Sequence, residues 1–194
     1  MREMMSMIIV LTVLTAVSGG LLAAVESGTK LRIEEQVLKF QKAPAIAEIF
    51  VDVTNDPLKE RFPVSAEGIS IQVFPAIMED GSKAVAFETK GKGGYGGDVG
   101  LMIGISLETD QIIAARVTTH SETPGLGARA KDDPSFVSQF SDKSLFENLA
   151  LKNDNGSIDA MSGATITSRA VTLAAIQAQD LYKKLKPEIV KQIK

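Results

Sequence analysis

An uninterrupted apolar segment near the N-terminus constrains this chain more than any other feature. No charged residue occurs between Met4 and Val25. As a helix rising 1.5 Å per residue, these roughly 22 residues would span about 33 Å, which matches a bilayer core. A cleaved signal peptide is the competing interpretation, because the run is N-terminal and LLAAVES offers small residues near its end. Since the apolar run exceeds the usual length of a signal-peptide core, we predict an uncleaved transmembrane anchor over residues 1–28.

The charges that flank the anchor give a weak signal for its orientation. Arg2 favours a cytoplasmic N-terminus, although Lys30 and Arg32 follow the apolar run and dilute the signal. We predict a single-pass protein with its N-terminus in the cytoplasm. Residues 29–60 are expected to form a stalk and the first helix of a domain, with a break or kink near Pro44.

Residues 61–194 carry the pattern of one α+β domain. TNDPLKERFPVSAEG is rich in turn formers, and four β-rich segments follow it: ISIQVF, AVAFET, VGLMIGISL and QIIAARVTT. Only ETD separates the last two, so we predict a hairpin and a sheet that is at least partly antiparallel. Helices are expected in DPSFVSQF, in SLFENLA and from about Thr165 onward.

Composition excludes several kinds of chemistry. The formal net charge of −3 gives no reason to expect a nucleic-acid partner. The absence of cysteine removes disulfides, thiolate nucleophiles and cysteine-ligated iron–sulfur clusters. A single histidine, His120, leaves little scope for a zinc site, and no second histidine could orient a serine nucleophile. We therefore predict no metal site and no catalytic residues, so any redox chemistry requires a borrowed cofactor.

The segment GKGGYGGDVG contains Gly91, Gly93 and Gly96 at the GxGxxG spacing of dinucleotide-binding folds. That motif needs a helix after the glycines to receive a pyrophosphate, whereas a predicted strand follows here. We therefore reject a Rossmann assignment. Two interpretations remain open: a plain loop before the hairpin, or a backbone surface for a flat ligand or another subunit, with Tyr95 as a stacking group.

The segment HSETPGLGA contains Pro124 and Gly125 in the positions that a type II turn requires. The turn would be flanked by Glu122 and Thr123. A plain surface turn with an exposed histidine explains the pattern equally well, since Pro-Gly by itself marks no more than a turn.

The segment DAMSGATITS leads into a run whose apolar positions follow helical spacing. A helix that begins there would place free backbone N–H groups beside a cluster of hydroxyls, where an anion would be stabilised. These hydroxyls belong to Ser162, Thr165, Thr167 and Ser168. Gly163 and Ala164 would let a ligand approach the backbone closely. For any one hydroxyl, an ordinary helix cap is the competing interpretation. The carboxylate of Asp159 would repel a phosphate and is therefore unsuited to holding one. Asp159 could instead be recognised by a separate enzyme that modifies this segment.

These residues resemble the flavinylation motif of FMN-binding domains, in which Asp, two residues, Ser-Gly-Ala-Thr, one residue and Thr precede a helix. The resemblance implies FMN held by a phosphoester on Thr167. Asp159, Ser162, Gly163, Ala164 and Thr165 match the recognition pattern. Of these we expect Ser162, Gly163, Ala164 and Thr165 to contact the cofactor, and Asp159 to be recognised during modification. GGYGGDVGLMIGI and HSETPGLGA resemble segments of one subfamily, the G subunit of the Rnf electron-transport complex. From them we expect further FMN contacts at Tyr95, Glu122, Thr123, Leu126 and Gly127.

The resemblance also implies a function. In the Rnf complex, electrons pass from reduced ferredoxin to NAD while sodium ions or protons cross the membrane, and the G subunit relays electrons through its FMN on the extracytoplasmic side. Other membrane subunits and a flavin transferase that uses FAD and a metal ion would be its partners. Self-attachment is not expected, because a threonine without an adjacent base is a poor nucleophile. We also expect the Thr167 hydroxyl to lie at the surface.

Three alternatives remain open. The C subunit of a sodium-translocating NADH:quinone reductase shares the FMN motif and the anchor, although the present chain is short for it. A free-standing, membrane-anchored flavoprotein could carry electrons without pumping ions. A tethered binding module without redox function would retain SGAT only as a helix cap.

Overall fold

The computed structural model describes residues 2–66 and 68–193. The chain divides into two compact units, Met1–Phe40 and Gln41–Lys194. Helix α1 (Arg2–Val37) makes up most of the first unit, and none of its residues is buried. It belongs to a continuous helical stretch, Arg2–Ile49, that is long and apolar enough to cross a membrane. The predicted anchor therefore corresponds to a candidate membrane span.

A π-helical turn (Leu38–Lys42) precedes helix α2 (Ala43–Ile49). Pro44 lies in the first turn of α2. It has no N–H to donate to the preceding helical turn, and its ring crowds that turn, so the regular hydrogen-bond pattern is interrupted there. The predicted irregularity near Pro44 is thus present, as an extra residue in the preceding turn. The proposed boundaries at residues 28 and 60 stay predictions.

The second unit is built on a five-stranded sheet whose strands follow one another in chain order. Every pairing between these strands is antiparallel, which goes further than the partly antiparallel sheet expected from sequence. The strands are β1 (Phe62–Ala66), β2 (Ile69–Ile77), β3 (Lys83–Gly91), β4 (Val99–Ser106) and β5 (Ile112–Val117). The α+β class, the four predicted strands and the β4–β5 hairpin are confirmed.

The longest helix of the second unit, α5 (Thr165–Gln192), packs on one face of the sheet and contacts β1, β3 and β4. On β3, the hydroxyl of Thr89 donates to the carbonyl of Ala174 at 2.9 Å. Helix α2 lies against β4 and β5, where the missing side chain of Gly104 makes room for Ile49. Strand β4 is buried almost throughout, as expected for a strand covered on both faces.

Two sequence-based expectations about secondary structure are wrong. Strand β1 lies inside a stretch predicted to be turns, and its Pro63 is tolerated because β1 is an edge strand. SLFENLA is not helical: the amide of Gln179 donates to the carbonyls of Leu145 and Glu147 instead. In DPSFVSQF, a short helix α4 (Pro134–Val137) and a 3₁₀ turn (Ser138–Phe140) are present, preceded by α3 (Arg129–Asp132).

Candidate functional site

A cavity of about 590 Å³ opens in the second unit at the N-terminal end of α5. Its walls come from three segments that are distant in sequence: the glycine-rich loop after β3, the turn after β5, and the start of α5. The lining residues are Tyr95, Glu122, Thr123, Leu126, Gly127, Gly163, Ala164, Thr165, Ile166 and Thr167. All of these except Ile166 were expected from sequence to contact the cofactor.

The start of α5 presents backbone groups to this cavity. The N-cap residue is Ala164, and no side chain caps the helix there. The competing interpretation of the hydroxyl cluster as an ordinary cap is therefore wrong for this helix end. The N–H groups of the first turn are thus left free of side-chain caps, and the positive end of the helix dipole faces the cavity. Gly163 adopts a φ of +76°, which favours glycine, and turns the chain into the helix.

Ser168 fixes the loop that leads into α5. Its hydroxyl donates to the carbonyl of Ala164 at 2.9 Å and accepts from the N–H of Met161 at 2.9 Å. The Ser168 side chain is fully buried, so both bonds are shielded from water. The sequence places Ser168 among the hydroxyls at the helix start but does not predict this structural role. A serine that joins a loop to a helix by hydrogen bonds leaves no distinct sequence pattern.

Thr167 is buried rather than at the surface. Only 2% of the residue is exposed, and its hydroxyl donates to Oε2 of Glu122 at 2.5 Å. The expectation of a surface hydroxyl is wrong, because the first turn of α5 directs this side chain toward the turn after β5. The expectation that no base lies beside Thr167 is wrong as well, since Glu122 carries a carboxylate at hydrogen-bond distance.

The glycine-rich loop encloses this carboxylate. The N–H of Gly96 donates to Oε1 of Glu122 at 2.9 Å. A Cβ on Gly94 would lie 2.7 Å from the same oxygen, and one on Gly96 would overlap the carbonyl of Ser121. The backbone therefore approaches the Glu122 segment more closely than any residue with a side chain could. As expected, strand β4 and not a helix follows the glycines.

The turn after β5 has the predicted geometry. The N–H of Leu126 donates to the carbonyl of Thr123 at 3.2 Å, and Gly125 has a φ of +73°, as the third residue of a type II turn requires. His120 accepts a hydrogen bond from the backbone N–H of Glu122 through Nδ1 at 3.2 Å. The histidine thus supports the backbone of this turn and does not line the cavity.

Ser162 and Asp159 line a separate cleft of about 230 Å³ and not the larger cavity. Asp159 is exposed and pairs with Lys152 at 2.6 Å, while its backbone N–H donates to Oε1 of Gln139 at 2.8 Å. Across the same cleft, hydrogen bonds from Ser135 hold the pKa of the Asp133 carboxyl below its usual value. The two ends of the segment DAMSGATIT therefore face different surfaces, the hydroxyl of Thr167 inward and the side chain of Asp159 outward.

The cavity has the features that a flavin mononucleotide requires. Its volume lies within the range of small-molecule sites. Free N–H groups at the start of α5 suit a phosphate, and three partly exposed apolar or aromatic side chains, Tyr95, Leu126 and Ile166, form a rim that suits a flat ring. A Cβ on Gly127 would overlap Glu122 and Thr167, so only glycine leaves this part of the wall open. The residues present thus fit the cofactor.

Comparison with protein-family models matches residues 94–180 to the FMN-binding domain. These residues include most of the glycine-rich loop and the lining of the cavity. Among curated proteins, the chain is similar to the G subunit of the ion-translocating oxidoreductase complex of Salmonella typhi, with 35% identity over 92% of this chain and 90% of that protein. It is also similar to the corresponding protein of Haemophilus influenzae Rd, with 35% identity over 74% and 72%.

Two solved structures share the fold. The chain is similar to the C subunit of the Na⁺-translocating NADH-quinone reductase of Parabacteroides distasonis, with a TM-score of 0.51 and 27% identity over 60% of this chain and 62% of that one. It also resembles NqrC of Shewanella oneidensis, with a TM-score of 0.53 and 23% identity over 80% and 76% of the two chains.

Proposed function

The chain belongs to the family of ion-translocating oxidoreductase complex G subunits, and on that premise we propose that it relays electrons through FMN attached to Thr167 by a phosphoester. The observation that carries this proposal is the position of the Thr167 hydroxyl. It lies at the first turn of α5, in the wall of a cavity that fits a flavin, and at the last position of the SGATIT segment.

Different residues of this chain would hold different parts of the cofactor. The free N–H groups from Thr165 to Thr167 would hold the phosphate, helped by the helix dipole. Tyr95, 74% exposed, and Leu126, 49% exposed, would pack against the ring from opposite loops. Thr123, Gly127, Gly163 and Ala164 complete the wall. Bound FMN would supply electron transfer in one- or two-electron steps, and the protein supplies its orientation and electrostatic surroundings.

The partly open cavity suits a relay and not a complete catalytic site. Tyr95, Leu126 and Ile166 are all exposed at its rim, so a partner protein could approach the ring. We propose that the neighbouring partners are other membrane subunits of a ferredoxin:NAD oxidoreductase of the Rnf type, which moves sodium ions or protons. The N-terminal span would hold the domain on the extracytoplasmic side of the cell membrane, with the N-terminus in the cytoplasm.

The outer half of the motif suits recognition by a modifying enzyme. Asp159 and Ser162 are exposed and line their own cleft, whereas Thr167 is buried. We propose that a flavin transferase reads Asp159 and Ser162 during maturation. Because the Thr167 hydroxyl faces the cavity, the transferase would have to deliver the flavin phosphate from that side.

A second candidate is the C subunit of a sodium-translocating NADH:quinone reductase. The likeness to the Parabacteroides distasonis structure favours it. The sequence identity to a G subunit is higher, 35% over 92% of this chain against 27% over 60%, and this argues against the C subunit. A free-standing flavoprotein carrier would share the cavity and the anchor. The identity of the neighbouring genes would distinguish both of these candidates from an Rnf-type subunit.

The test is the intact mass of the full-length chain, produced with a flavin transferase and then denatured. We expect the wild type to gain the mass of one FMN group. Thr167→Val should gain none, because valine fills the buried space of threonine but lacks the hydroxyl. Thr172→Val is the matched control and should be modified, because it makes the same replacement at another buried threonine of α5 that does not line the cavity.

An unmodified wild type in the presence of an active transferase would contradict the covalent linkage. FMN found on Thr167→Val would place the attachment on another residue. A modified wild type that transfers no electrons to or from its membrane partners would contradict the relay but leave the linkage standing.

A further inference from the structure

We propose that Glu122 is the proton acceptor for the Thr167 hydroxyl when the flavin phosphate is attached to that oxygen. This inference rests on the proposed attachment at Thr167 and assigns a further residue to it. The two side chains come from segments 45 positions apart, yet Thr167 Oγ1 and Glu122 Oε2 lie 2.5 Å apart. A general base must lie within hydrogen-bond reach of the proton it removes, and Glu122 meets this requirement.

The position of Glu122 is fixed from several sides. Its side chain is buried at the cavity wall, with 6% of the residue exposed. Oε1 accepts from the Gly96 N–H, which leaves Oε2 directed at Thr167. Gly94 and Gly127 border the carboxylate at positions where a Cβ would touch or overlap it. The glycine-rich loop, whose role the sequence left open, therefore holds one carboxylate oxygen and orients the other.

This arrangement addresses the weakness of threonine as a nucleophile. An aliphatic hydroxyl attacks phosphorus efficiently only when an adjacent base takes its proton. Other hydroxyls of the motif lack such a partner: Ser168 donates to a carbonyl, and Thr165 is exposed on the helix surface. Among the hydroxyls at the start of α5, Thr167 is thus distinguished by the carboxylate that accepts its hydrogen bond. Its solvent exposure does not distinguish it, because it is buried.

The step balances with flavin adenine dinucleotide as the co-reactant. Oγ1 of Thr167 attacks the phosphorus on the flavin side of the pyrophosphate, and an Oγ1–P bond forms. The bond from that phosphorus to the bridging oxygen breaks, and AMP leaves with the bridging oxygen. The proton of Oγ1 moves to Oε2 of Glu122, and nothing is oxidised or reduced. A protonated Glu122 then avoids a like-charge contact with the new phosphodiester.

The experiment follows attachment in a single turnover, with full-length chain in detergent, and with flavin adenine dinucleotide and transferase in excess over the chain. The intact mass of samples denatured at successive times gives the rate. We expect Glu122→Gln to slow attachment about 10²- to 10⁴-fold, the usual contribution of a general base. Its amide oxygen can still accept from Gly96, while its NH₂ group cannot take the proton of Thr167. Glu122→Ala should be equally slow and should be accelerated by added formate, which can replace the missing carboxylate.

The matched control is Glu88→Gln. Glu88 is also a partly buried carboxylate that accepts from a threonine hydroxyl, that of Thr118, and it pairs with Lys42 at 2.8 Å. It does not line the cavity, so Glu88→Gln should attach FMN at a rate within about twofold of the wild type.

Slow attachment in Glu122→Gln, rescue of Glu122→Ala by formate and a normal rate in Glu88→Gln together support the assignment. Attachment of FMN to Glu122→Gln at the wild-type rate would overturn it and assign the proton to a group of the transferase. Lack of any effect of formate on a slow Glu122→Ala, or equal slowing in Glu88→Gln, would overturn it by showing a purely structural effect. The two proposals can fail separately. A wild type that gains no FMN overturns the attachment itself. A wild type that gains FMN no faster than Glu122→Gln overturns only the role of Glu122.

Discussion

The carbonyl oxygen of Ala170 on α5 occupies the place where a Cβ on Gly91 of β3 would lie. The helix backbone and the strand backbone therefore meet without a side chain between them. Two residues earlier on β3 and one helical turn later on α5, the Thr89 hydroxyl donates to the carbonyl of Ala174. Because the glycine-rich loop starts at Gly91 and α5 starts little more than one turn before Ala170, this close approach brings the loop and the helix start to the same cavity.

Substitution of Gly91 by alanine should destabilise the chain. The added methyl group overlaps backbone, which cannot move as a flexible side chain can, so we expect the free energy of unfolding to fall by about 2–3 kcal/mol. Denaturant unfolding of the full-length chain in detergent, followed by near-UV circular dichroism, measures the change. Lys92→Ala, at the exposed neighbouring position, should change stability by less than about 0.5 kcal/mol. Equal stability of Gly91→Ala and wild type would contradict the close packing.

Substitution of Gly127 by alanine should impair FMN attachment. A Cβ there overlaps both Glu122 and Thr167, so the two side chains must separate. A displacement of about 1 Å at reacting groups can cost about a hundredfold in rate, and we expect a loss of that order in the intact-mass time course. Gly81→Ala is the control: Gly81 has a φ of +83° and lies in a distant turn. Its alanine variant should lose some stability but attach FMN normally, and a normal rate in Gly127→Ala would count against the geometry.

Removal of the Ser168 hydroxyl should loosen the loop before α5. Ser168→Ala leaves the N–H of Met161 without its hydrogen-bond acceptor in a buried place. An unpaired buried donor costs about 1–3 kcal/mol, so we expect a loss of that size in the free energy of unfolding and faster hydrogen exchange at Met161. Ser162→Ala, at an exposed position in the same loop, should change stability by less than about 0.5 kcal/mol. Unchanged exchange at Met161 would show that the loop is held by other contacts.

Asp110 should make stability depend on acid pH. Burial alone would raise the pKa of its carboxyl, but hydrogen bonds from Lys186 and Tyr182 outweigh burial and hold this pKa below its usual value. A lowered folded-state pKa gives stability that is present above the unfolded-state pKa of about 4 and is lost as pH falls through the folded-state value. We expect Asp110→Asn to lower the free energy of unfolding by about 1–2 kcal/mol at pH 7.

This difference between Asp110→Asn and wild type should shrink as the pH falls below about 4, which unfolding curves between about pH 3 and 7 would show. Asparagine is the suitable replacement because Asp110 has a φ of +55°, a conformation that asparagine tolerates. Asp180→Asn, at an exposed position of α5, is the control. A difference from wild type that stays constant with pH would show that the carboxylate charge of Asp110 contributes nothing.

Local sequence patterns predicted those elements whose backbone preference is strong and whose partners are close in the chain. The four segments rich in β-branched residues became strands β2 to β5, and the short ETD connection produced a hairpin. Strand β1 was missed because Pro63 is a turn signal that is tolerated only at a sheet edge. SLFENLA has a helical pattern, but Gln179 of α5 takes up two of its carbonyls, so tertiary contacts overrode the local preference.

The sequence by itself determined the apolar span, the α+β class and the start of α5 at Thr165, because length, periodicity and turn residues act within a few positions of one another. Resemblance of the segment DAMSGATIT to the flavinylation motif also singled out Thr167 as the proposed attachment residue. Only the tertiary structure decided that Thr167 is buried against Glu122, and that Asp159 of the same motif faces another cleft. The reason is physical: a contact between residues 45 positions apart depends on how α5 packs on β3 and on where the glycine-rich loop lets the backbone approach, and no local pattern encodes either.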